Sequence, residues 1–136
     1  MAVNKKIIEE ISVDELNKLM CCVDKEGDCI LIVKFTATWC GPCNKIKQLT
    51  HECFANLPGN AIIAEVDVDS NMDLYMFMKN NRIVKGIPAI LVWFPNKERD
   101  EKYWYIPDDS ISGSSNKDIF ALFKRCNERA LSVRDK

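Results

Sequence analysis

Several features that would assign this chain to a common functional class are missing from its sequence. The 136 residues carry 19 basic and 20 acidic side chains, so no excess of basic charge points to nucleic acid as the partner. No apolar run is long enough to cross a bilayer, and the first ten residues become charged before an apolar core of signal-peptide length can form. We therefore expect a cytoplasmic protein, or one packaged from the cytoplasm into a particle or organelle, that binds neither nucleic acid nor membranes.

The patterns of a metal site and of a secreted disulfide framework are missing as well. The sequence has one histidine and seven cysteines, but only one Cys-x-x-Cys spacing, and no second pair of cysteine or histidine lies at ligand spacing. Two ligands do not close a zinc site, so we expect no metal. An odd number of cysteines without regular spacing does not indicate a disulfide framework, and in a reducing compartment most of the thiols would stay free.

The Cys-x-x-Cys pair, Cys40 and Cys43, lies between a strand pattern and a helix pattern. The run 30–33 contains β-branched residues and leucine and is short enough to be a strand buried on both faces, and a helical pattern begins at Asn44. Cys40 is thus expected at the turn into a helix, where unpaired backbone N–H groups and the helix dipole favour an anion. A thiolate is such an anion, and it is the form of cysteine that attacks disulfides.

The other periodic segments predict one α/β domain over 1–136, with its core at about 5–130. A capping box of Ser12 and Glu15 begins the first helix, and Gly27 ends it. The predicted strands are 5–11, 29–36, 61–69, 87–94 and 103–106, and the last of four helices covers roughly 115–130 before a frayed polar tail, 131–136. This alternation predicts a mixed sheet of about five strands in a three-layer α/β/α arrangement.

Together the motifs resemble those of the thioredoxin family over about residues 5–130. The signature Trp39-Cys40-Gly41-Pro42-Cys43 matches the family residue for residue, and the segments 35–38, 66–69 and 84–88 are close to its pattern. By this resemblance Pro88 corresponds to the family's cis-proline, and Gly113 corresponds to the glycine that opens its substrate-facing groove. The resemblance implies the thioredoxin fold.

It also implies a protein-disulfide reductase that works by dithiol–disulfide exchange. Cys40 would attack the substrate disulfide and Cys43 would resolve the mixed disulfide, so no cofactor is expected beyond the redox-active Cys40–Cys43 disulfide itself. The residues implied in substrate binding are Trp39, Gly41, Pro42, Ile87, Pro88 and Gly113. The implied partners are proteins that contain disulfides, and a thioredoxin reductase or another thiol reductant.

Two charged residues depart from the family pattern. Lys34 stands six residues before Cys40, where most thioredoxins carry a buried acid thought to exchange a proton with the second cysteine. Glu65, on the neighbouring strand, stands where many bacterial members carry a lysine. Because an unpaired buried ammonium is costly, we expect Lys34 to meet Glu65, to reach solvent or to be neutral. We further expect Glu65, or a neutral Lys34, to transfer the proton. A cation beneath the site would stabilise thiolates and make the protein a weaker reductant than a usual thioredoxin.

A second function class stays open at this point. The segment 95–112 is longer than the family's tight hairpin, and it is either a partner surface or a longer strand pair with its edge screened by charge. If it is a partner surface, the alternative to a reductase is a thioredoxin-fold binding or assembly module with little redox activity. The cation at Lys34 leaves open a further alternative, a weakly reducing oxidoreductase. An oxidase or isomerase is disfavoured because those sites usually carry a histidine where this chain has Pro42.

The remaining cysteines, methionines and the one histidine are given structural roles. Cysteine commonly packs as a small apolar side chain. We expect that role for Cys21, Cys22, Cys29, Cys53 and Cys126, and a core position for Met72, Met76, Phe77 and Met78. His51 is expected to be a solvated surface residue. Gln48 replaces a kinking proline of many thioredoxins and predicts a straighter helix.

Overall fold

The computed structural model describes residues 6–95 and 97–134, which form five strands and four α-helices in alternating order. The elements are β1 (Ile7–Ile8), α1 (Val13–Glu26), β2 (Ile30–Thr36), α2 (Gly41–Asn56), β3 (Ala61–Asp67), α3 (Met72–Asn80), β4 (Ala89–Trp93), β5 (Asp109–Ser112) and α4 (Asn116–Arg134). The predicted α/β class is confirmed, whereas a single domain over 1–136 stays a prediction. Within the described residues, no helix is both long enough and apolar enough to span a membrane.

The sheet has the strand order β1-β3-β2-β4-β5. β3 pairs in parallel with both β1 and β2, while β4 is antiparallel to β2 and to β5, so the sheet is mixed as predicted. β2 lies at its centre, and its first six residues are buried. Because β4 runs antiparallel to β2, Ala89 at its start pairs with Phe35 near the end of β2. This pairing brings the segment just before β4 next to the cysteine turn that follows β2.

Two apolar clusters lie on opposite sides of the sheet. Alternate residues of a strand point to opposite faces, so β2 contributes to both clusters. Leu31, Val33 and Phe35 pack in the cluster that includes residues of α1 and α3, and Ile30 and Ile32 pack in the cluster that includes residues of α2 and α4. The result is the predicted three-layer α/β/α arrangement.

The predicted ends of α1 are confirmed. The Ser12 side chain accepts a hydrogen bond from the Glu15 N–H, and the Glu15 carboxylate accepts one from the Ser12 N–H. Gly27 follows the last helical residue with φ 70°, a left-handed conformation that glycine adopts without the steric cost of a Cβ.

The aromatic run 103–106 is not a strand, so that prediction was wrong. Residues Glu101–Tyr103 form a short 3₁₀ turn, and the edge strand is Asp109–Ser112. The rings of Trp104 and Tyr105 pack on Phe77 of α3, with centroids 6.0 Å and 5.1 Å away. This ring packing buries apolar surface that a flat edge strand would leave in water. Whether the segment 95–112 binds a partner stays a prediction.

The last helix also differs from expectation. α4 continues to Arg134, so the predicted frayed tail was wrong for 131–134, while 135–136 lie outside the described residues. Val133 is only 3% exposed because it continues the buried stripe of Cys126 and Ala130 at helical spacing.

Several sulfur-containing residues predicted to be buried are exposed. Met72 and Met76 are 48% and 41% exposed, because α3 turns Leu74 and Met78 to the core instead. Cys21 and Cys22 lie on the exposed side of α1, and Cys29 and Cys53 are partly buried. Cys126 is buried as predicted, and burial raises the pKa of its thiol to about 12.

Candidate active site

Cys40 and Cys43 form a disulfide at the start of α2, with their Cα atoms 5.2 Å apart. Cys40 is the N-cap of the helix, and its sulfur accepts a hydrogen bond from the Cys43 N–H at 3.2 Å. Pro42 lies in the first turn, where its missing N–H removes no helical hydrogen bond. Cys40 is 5% exposed and Cys43 is fully buried, so Cys40 is the more accessible of the two.

The segment before β4 packs against the cysteine turn. The Ile87–Pro88 peptide bond is cis, as the family resemblance implied. The Cys40 Sγ lies 4.0 Å from the Ile87 carbonyl oxygen, and the Gly113 N–H donates to the Pro88 carbonyl at 2.9 Å. Gly113 has φ 95°, a conformation that favours glycine, and no atom lies within 4 Å of the position its Cβ would take. The structure thus brings Ile87, Pro88 and Gly113 together beside Cys40.

Trp39 forms an exposed apolar surface next to Cys40. Its side chain is 66% exposed, and the indole N–H donates to Asp69 Oδ2 at 2.8 Å. The Asn44 amide donates to the Thr38 carbonyl at 3.0 Å, which ties the start of α2 to the turn before it. Gly41 and Pro42 are exposed as well, so all three predicted contact residues of the signature are open to solvent.

Lys34 is fully buried on β2 and meets Glu65, the first of the three expected outcomes. Its Nζ donates to Thr50 Oγ1 at 2.6 Å and to Glu65 Oε2 at 3.0 Å. The parallel register pairs Lys34 with Glu65 directly across β2 and β3. Burial lowers the pKa of Lys34 because it disfavours the charged form, although the charge of Glu65 and its hydrogen bond oppose that shift.

His51 completes this cluster: its side chain is partly exposed, but the prediction of a solvated surface residue missed its contact with Glu65. The His51 Nε2 lies 2.9 Å from both carboxylate oxygens of Glu65. The imidazole is 39% exposed and the Glu65 side chain 16%. Burial raises the pKa of Glu65, but the hydrogen bond from His51 and the charge of Lys34 outweigh it and leave that pKa below its usual value. The available signal was the position of His51 on α2, directly after the buried Thr50.

The charged cluster lies at some distance from the cysteines. Thr50 and His51 follow Cys43 by seven and eight residues, which corresponds to about 10–12 Å along α2. The sulfurs pack in the apolar cluster with Phe35, whereas Lys34 donates to α2 on the other face of β2. In the described ranges 6–95 and 97–134, neither Lys34 nor Glu65 has a hydrogen bond to a cysteine.

A cleft of about 300 Å³ connects the surroundings of the cysteine turn with Glu65. Thr38 and Asn44, which flank the turn, line it together with Glu65. The fully buried Lys34 does not line the cleft, so Glu65 is the member of the pair that solvent in the cleft reaches. Across the described part of the chain, no group of three or more His, Cys, Asp or Glu side chains is placed to hold a metal ion.

Comparison with known proteins identifies the family. The model of the family described as thioredoxin matches residues 11–114. The chain belongs to the thioredoxin family. It is 34% identical over 94 residues to the Arabidopsis thaliana thioredoxin-like protein CITRX, chloroplastic, an alignment that covers 69% of this chain and 48% of that protein. It is 44% identical over 52 residues to human thioredoxin, covering 38% of this chain and 49% of that protein. The chain thus matches about half the length of these curated relatives.

Solved thioredoxin structures share the fold along nearly the whole chain. Malassezia sympodialis thioredoxin superposes with a TM-score of 0.63 at 21% identity, covering 93% of this chain and 96% of that one. Trypanosoma brucei brucei thioredoxin superposes with a TM-score of 0.63 at 19% identity, covering 94% and 95%. These likenesses confirm the predicted thioredoxin fold.

Proposed function

We propose that this thioredoxin-family protein is a thiol–disulfide oxidoreductase that reduces protein disulfides through Cys40 and Cys43. The observation that carries the proposal is the Cys40–Cys43 disulfide at the N-terminus of α2, with Cys40 as the N-cap. In the reduced protein, the Cys43 N–H and the helix dipole stabilise a thiolate at Cys40.

The exchange reaction has two steps. In the first, the Cys40 thiolate attacks one sulfur of the substrate disulfide, a Cys40–substrate bond forms, and the other substrate sulfur leaves as a thiolate. In the second, Cys43 loses its proton and attacks the Cys40 sulfur, which releases the second substrate thiolate and forms the Cys40–Cys43 disulfide. The substrate gains the two electrons that the cysteine pair loses. A thiol reductant, such as a thioredoxin reductase, must then return two electrons to the pair.

Substrate binding is assigned to the surface around Cys40. An extended substrate segment would pair with the backbone of Ile87 and lie between Trp39 and Gly113, over the exposed Gly41 and Pro42. The exposed indole of Trp39 and the contact of Cys40 with the Ile87 carbonyl support this assignment. Such pairing through main-chain hydrogen bonds suits proteins of differing sequence.

Glu65 is the better candidate for proton transfer with Cys43. Its carboxylate lines the cleft that begins at Thr38 and Asn44, whereas Lys34 is fully buried. A lowered pKa keeps Glu65 ionised, with a free site for a proton that reaches it through the cleft, but it also makes the carboxylate a weaker base. We expect Glu65→Gln to reduce disulfides more slowly than wild type, with a changed pH profile. Wild-type rates at all pH values in both Glu65→Gln and Lys34→Met would remove both residues from the mechanism.

The Lys34–Glu65 ion pair also affects the reduction potential of the cysteine pair. Since Glu65 neutralises much of the Lys34 charge at 3.0 Å, we expect only a small shift toward a weaker reductant, below about 30 mV, or 1.4 kcal/mol. A redox titration checks the value. A potential at or below about −270 mV, that of ordinary thioredoxin, would contradict the direction.

Protein disulfides are the proposed substrates, and we propose no cofactor beyond the cysteine pair. The balanced charge of the chain supports neither nucleic acid nor anionic membranes as partners. The cytoplasm is the proposed location. Localising a fluorescent fusion tests this, since the plant relatives carry a chloroplast location in their names.

Insulin reduction with dithiothreitol tests the activity. We expect Cys40→Ser to abolish the protein's contribution. In a separate reaction without dithiothreitol, reduced Cys43→Ser should accumulate a mixed disulfide with the substrate. Cys21→Ser, at an exposed thiol on α1, is the matched control and should keep wild-type activity. Activity that survives Cys40→Ser would overturn the mechanism. An inactive wild type would instead favour the binding or assembly module.

A further inference from the structure

Glu65 lies between two nitrogen-bearing side chains that differ in their access to solvent. On one side is the Lys34 ammonium, fully buried, and on the other is the His51 imidazole, 39% exposed. Both reach the carboxylate at hydrogen-bond distance, 3.0 Å from Lys34 Nζ and 2.9 Å from His51 Nε2. His51 is therefore the more solvent-exposed of the two partners of Glu65.

Acidification changes the net charge of the cluster. With a neutral imidazole, the Lys34 and Glu65 charges cancel, and a protonated imidazole makes the net charge +1. Histidine is the side chain whose charge ordinarily changes near neutral pH. A positive charge near the cysteines favours their thiolates over their thiols.

Other charged groups surround the cluster. They are Lys47 and Glu52 on α2 itself, Asp67 on β3, and Glu9 and Glu10 after β1, which line the two hollows beside Glu65 and His51. Four of these five are exposed, so water and salt screen their charges. Asp67 is partly buried, and its Oδ1 accepts hydrogen bonds from the backbone N–H groups of Asp69 and Ser70. The cluster itself is the least screened charge facing His51.

We propose that His51 is a positioning residue that makes the exchange reaction respond to pH: its protonation adds a second cation to the Lys34–Glu65 pair and favours the thiolates of Cys40 and Cys43. This inference rests on the proposed function. His51 follows Cys43 by eight residues, about 12 Å along α2, so the charge acts through space. At that distance one charge changes the thiolate population of Cys43 about two- to threefold when the effective dielectric constant is about 40–80. Cys40 lies eleven residues from His51, about 16 Å along α2, so the change expected there is about 1.5- to twofold.

Two substitutions separate the charge of His51 from its hydrogen bond. His51→Gln keeps a donor without a charge, and His51→Arg keeps a permanent charge. We measure the rate at which iodoacetamide alkylates Cys40 in the reduced protein, identified by mass spectrometry. At pH 5.5 we expect His51→Gln to react about 1.5- to twofold more slowly than wild type and His51→Arg to match wild type. At pH 8, where an ordinary histidine is neutral, His51→Gln should match wild type.

Glu52→Gln is the matched control, because it changes an exposed charge on the same helix. Because water and salt screen this exposed charge, its loss should change the rate less than His51→Gln does, and toward faster reaction. The inference is overturned if His51→Gln matches wild type at pH 5.5, if His51→Arg behaves like His51→Gln, or if Glu52→Gln changes the rate as much as His51→Gln.

A measurement on the unmodified chain keeps the test independent of how the variants fold. The sequence has one histidine, so the NMR signal of its ring is unambiguous. Coupling between two sites is reciprocal, so the ring signal should titrate at a higher pH in reduced than in oxidised protein. Identical titrations would overturn the inference. Insulin reduction by wild type distinguishes the two failures: if it persists, the proposed function stands without the role of His51, and if it is absent, the proposed function itself fails.

Discussion

The two faces of β2 are equally buried but differ in chemistry. One face carries Leu31, Val33 and Phe35, which pack in a cluster of apolar side chains with the two cysteines. The other face begins with two isoleucines and then places Lys34 against α2, where the ammonium needs Thr50 and Glu65 as partners. The reactive sulfurs therefore lie in the apolar cluster, and the charges lie in the opposite layer.

The difference shows how this strand tolerates a buried charge. An isolated ammonium in an apolar layer would lose its proton or destabilise the fold. Lys34 is retained because the adjacent strand and helix both supply oxygen acceptors, and because His51 holds the carboxylate from the solvent side. Since the charges do not touch the sulfurs, they can influence the proposed exchange reaction only through space or through a proton that travels along the cleft.

The largest expected effect on stability comes from the apolar face. Phe35→Ala removes a fully buried ring that packs 5.7 Å from the ring of Tyr75, and should lower the free energy of unfolding by about 3–5 kcal/mol. Denaturant unfolding measures this loss. Phe120→Ala on α4, where the ring is 56% exposed, is the control and should change stability by about 0.5 kcal/mol or less. A loss below that of the control would contradict the assignment of this face to the core.

A loss of stability of intermediate size is expected when Glu65, the acid on the charged face of the sheet, is replaced. Glu65→Gln leaves the buried Lys34 ammonium without a counter-charge and should cost about 2–4 kcal/mol at pH 7. The pKa of Glu65 in the folded protein lies below 4.5, its ordinary value in the unfolded chain. The stability that ionised Glu65 contributes is therefore complete above pH 4.5, and it is lost as the pH falls through the folded-state pKa. The gap between wild type and Glu65→Gln should therefore close in acid. A gap that stays constant down to pH 2 would refute the ion pair as its cause.

Much of the fold could be predicted because its signals are local. The Ser12 capping box, the left-handed Gly27 and the apolar run of β2 each depend on a few neighbouring residues. The prediction of a strand at 103–106 failed because the deciding contact is not local. Its aromatic residues favour strands in isolation, but contact with Phe77, about 27 residues earlier in the chain, decides their conformation.

The residues of the candidate site also divide into those that local sequence could predict and those that it could not. Cys40 and Cys43 are adjacent on one helical turn, so spacing alone could place them together, and the family resemblance supplied Pro88. His51 could not be placed because its contact with Glu65 joins α2 to β3 across the layers. Helical periodicity indicates which residues face the core, but not which flanking residue reaches a particular strand partner.

The smallest effect at neutral pH is expected from replacing the buried ammonium itself. Lys34→Met keeps the length of the side chain and removes its desolvation cost, while His51 still holds Glu65, so stability at pH 7 should change by about 1 kcal/mol or less. The difference in unfolding free energy between wild type and Lys34→Met should depend on pH in a defined direction. The pKa of Lys34 in the folded protein lies below 10.5, its ordinary value in the unfolded chain. Between the folded-state pKa and 10.5, the unfolded chain therefore binds more protons than the folded one. Wild-type stability should therefore rise relative to Lys34→Met as the pH increases toward 10.5. Denaturant unfolding of both proteins from pH 7 to 10.5 measures the trend, and parallel curves would show that burial of Lys34 does not disfavour its charge.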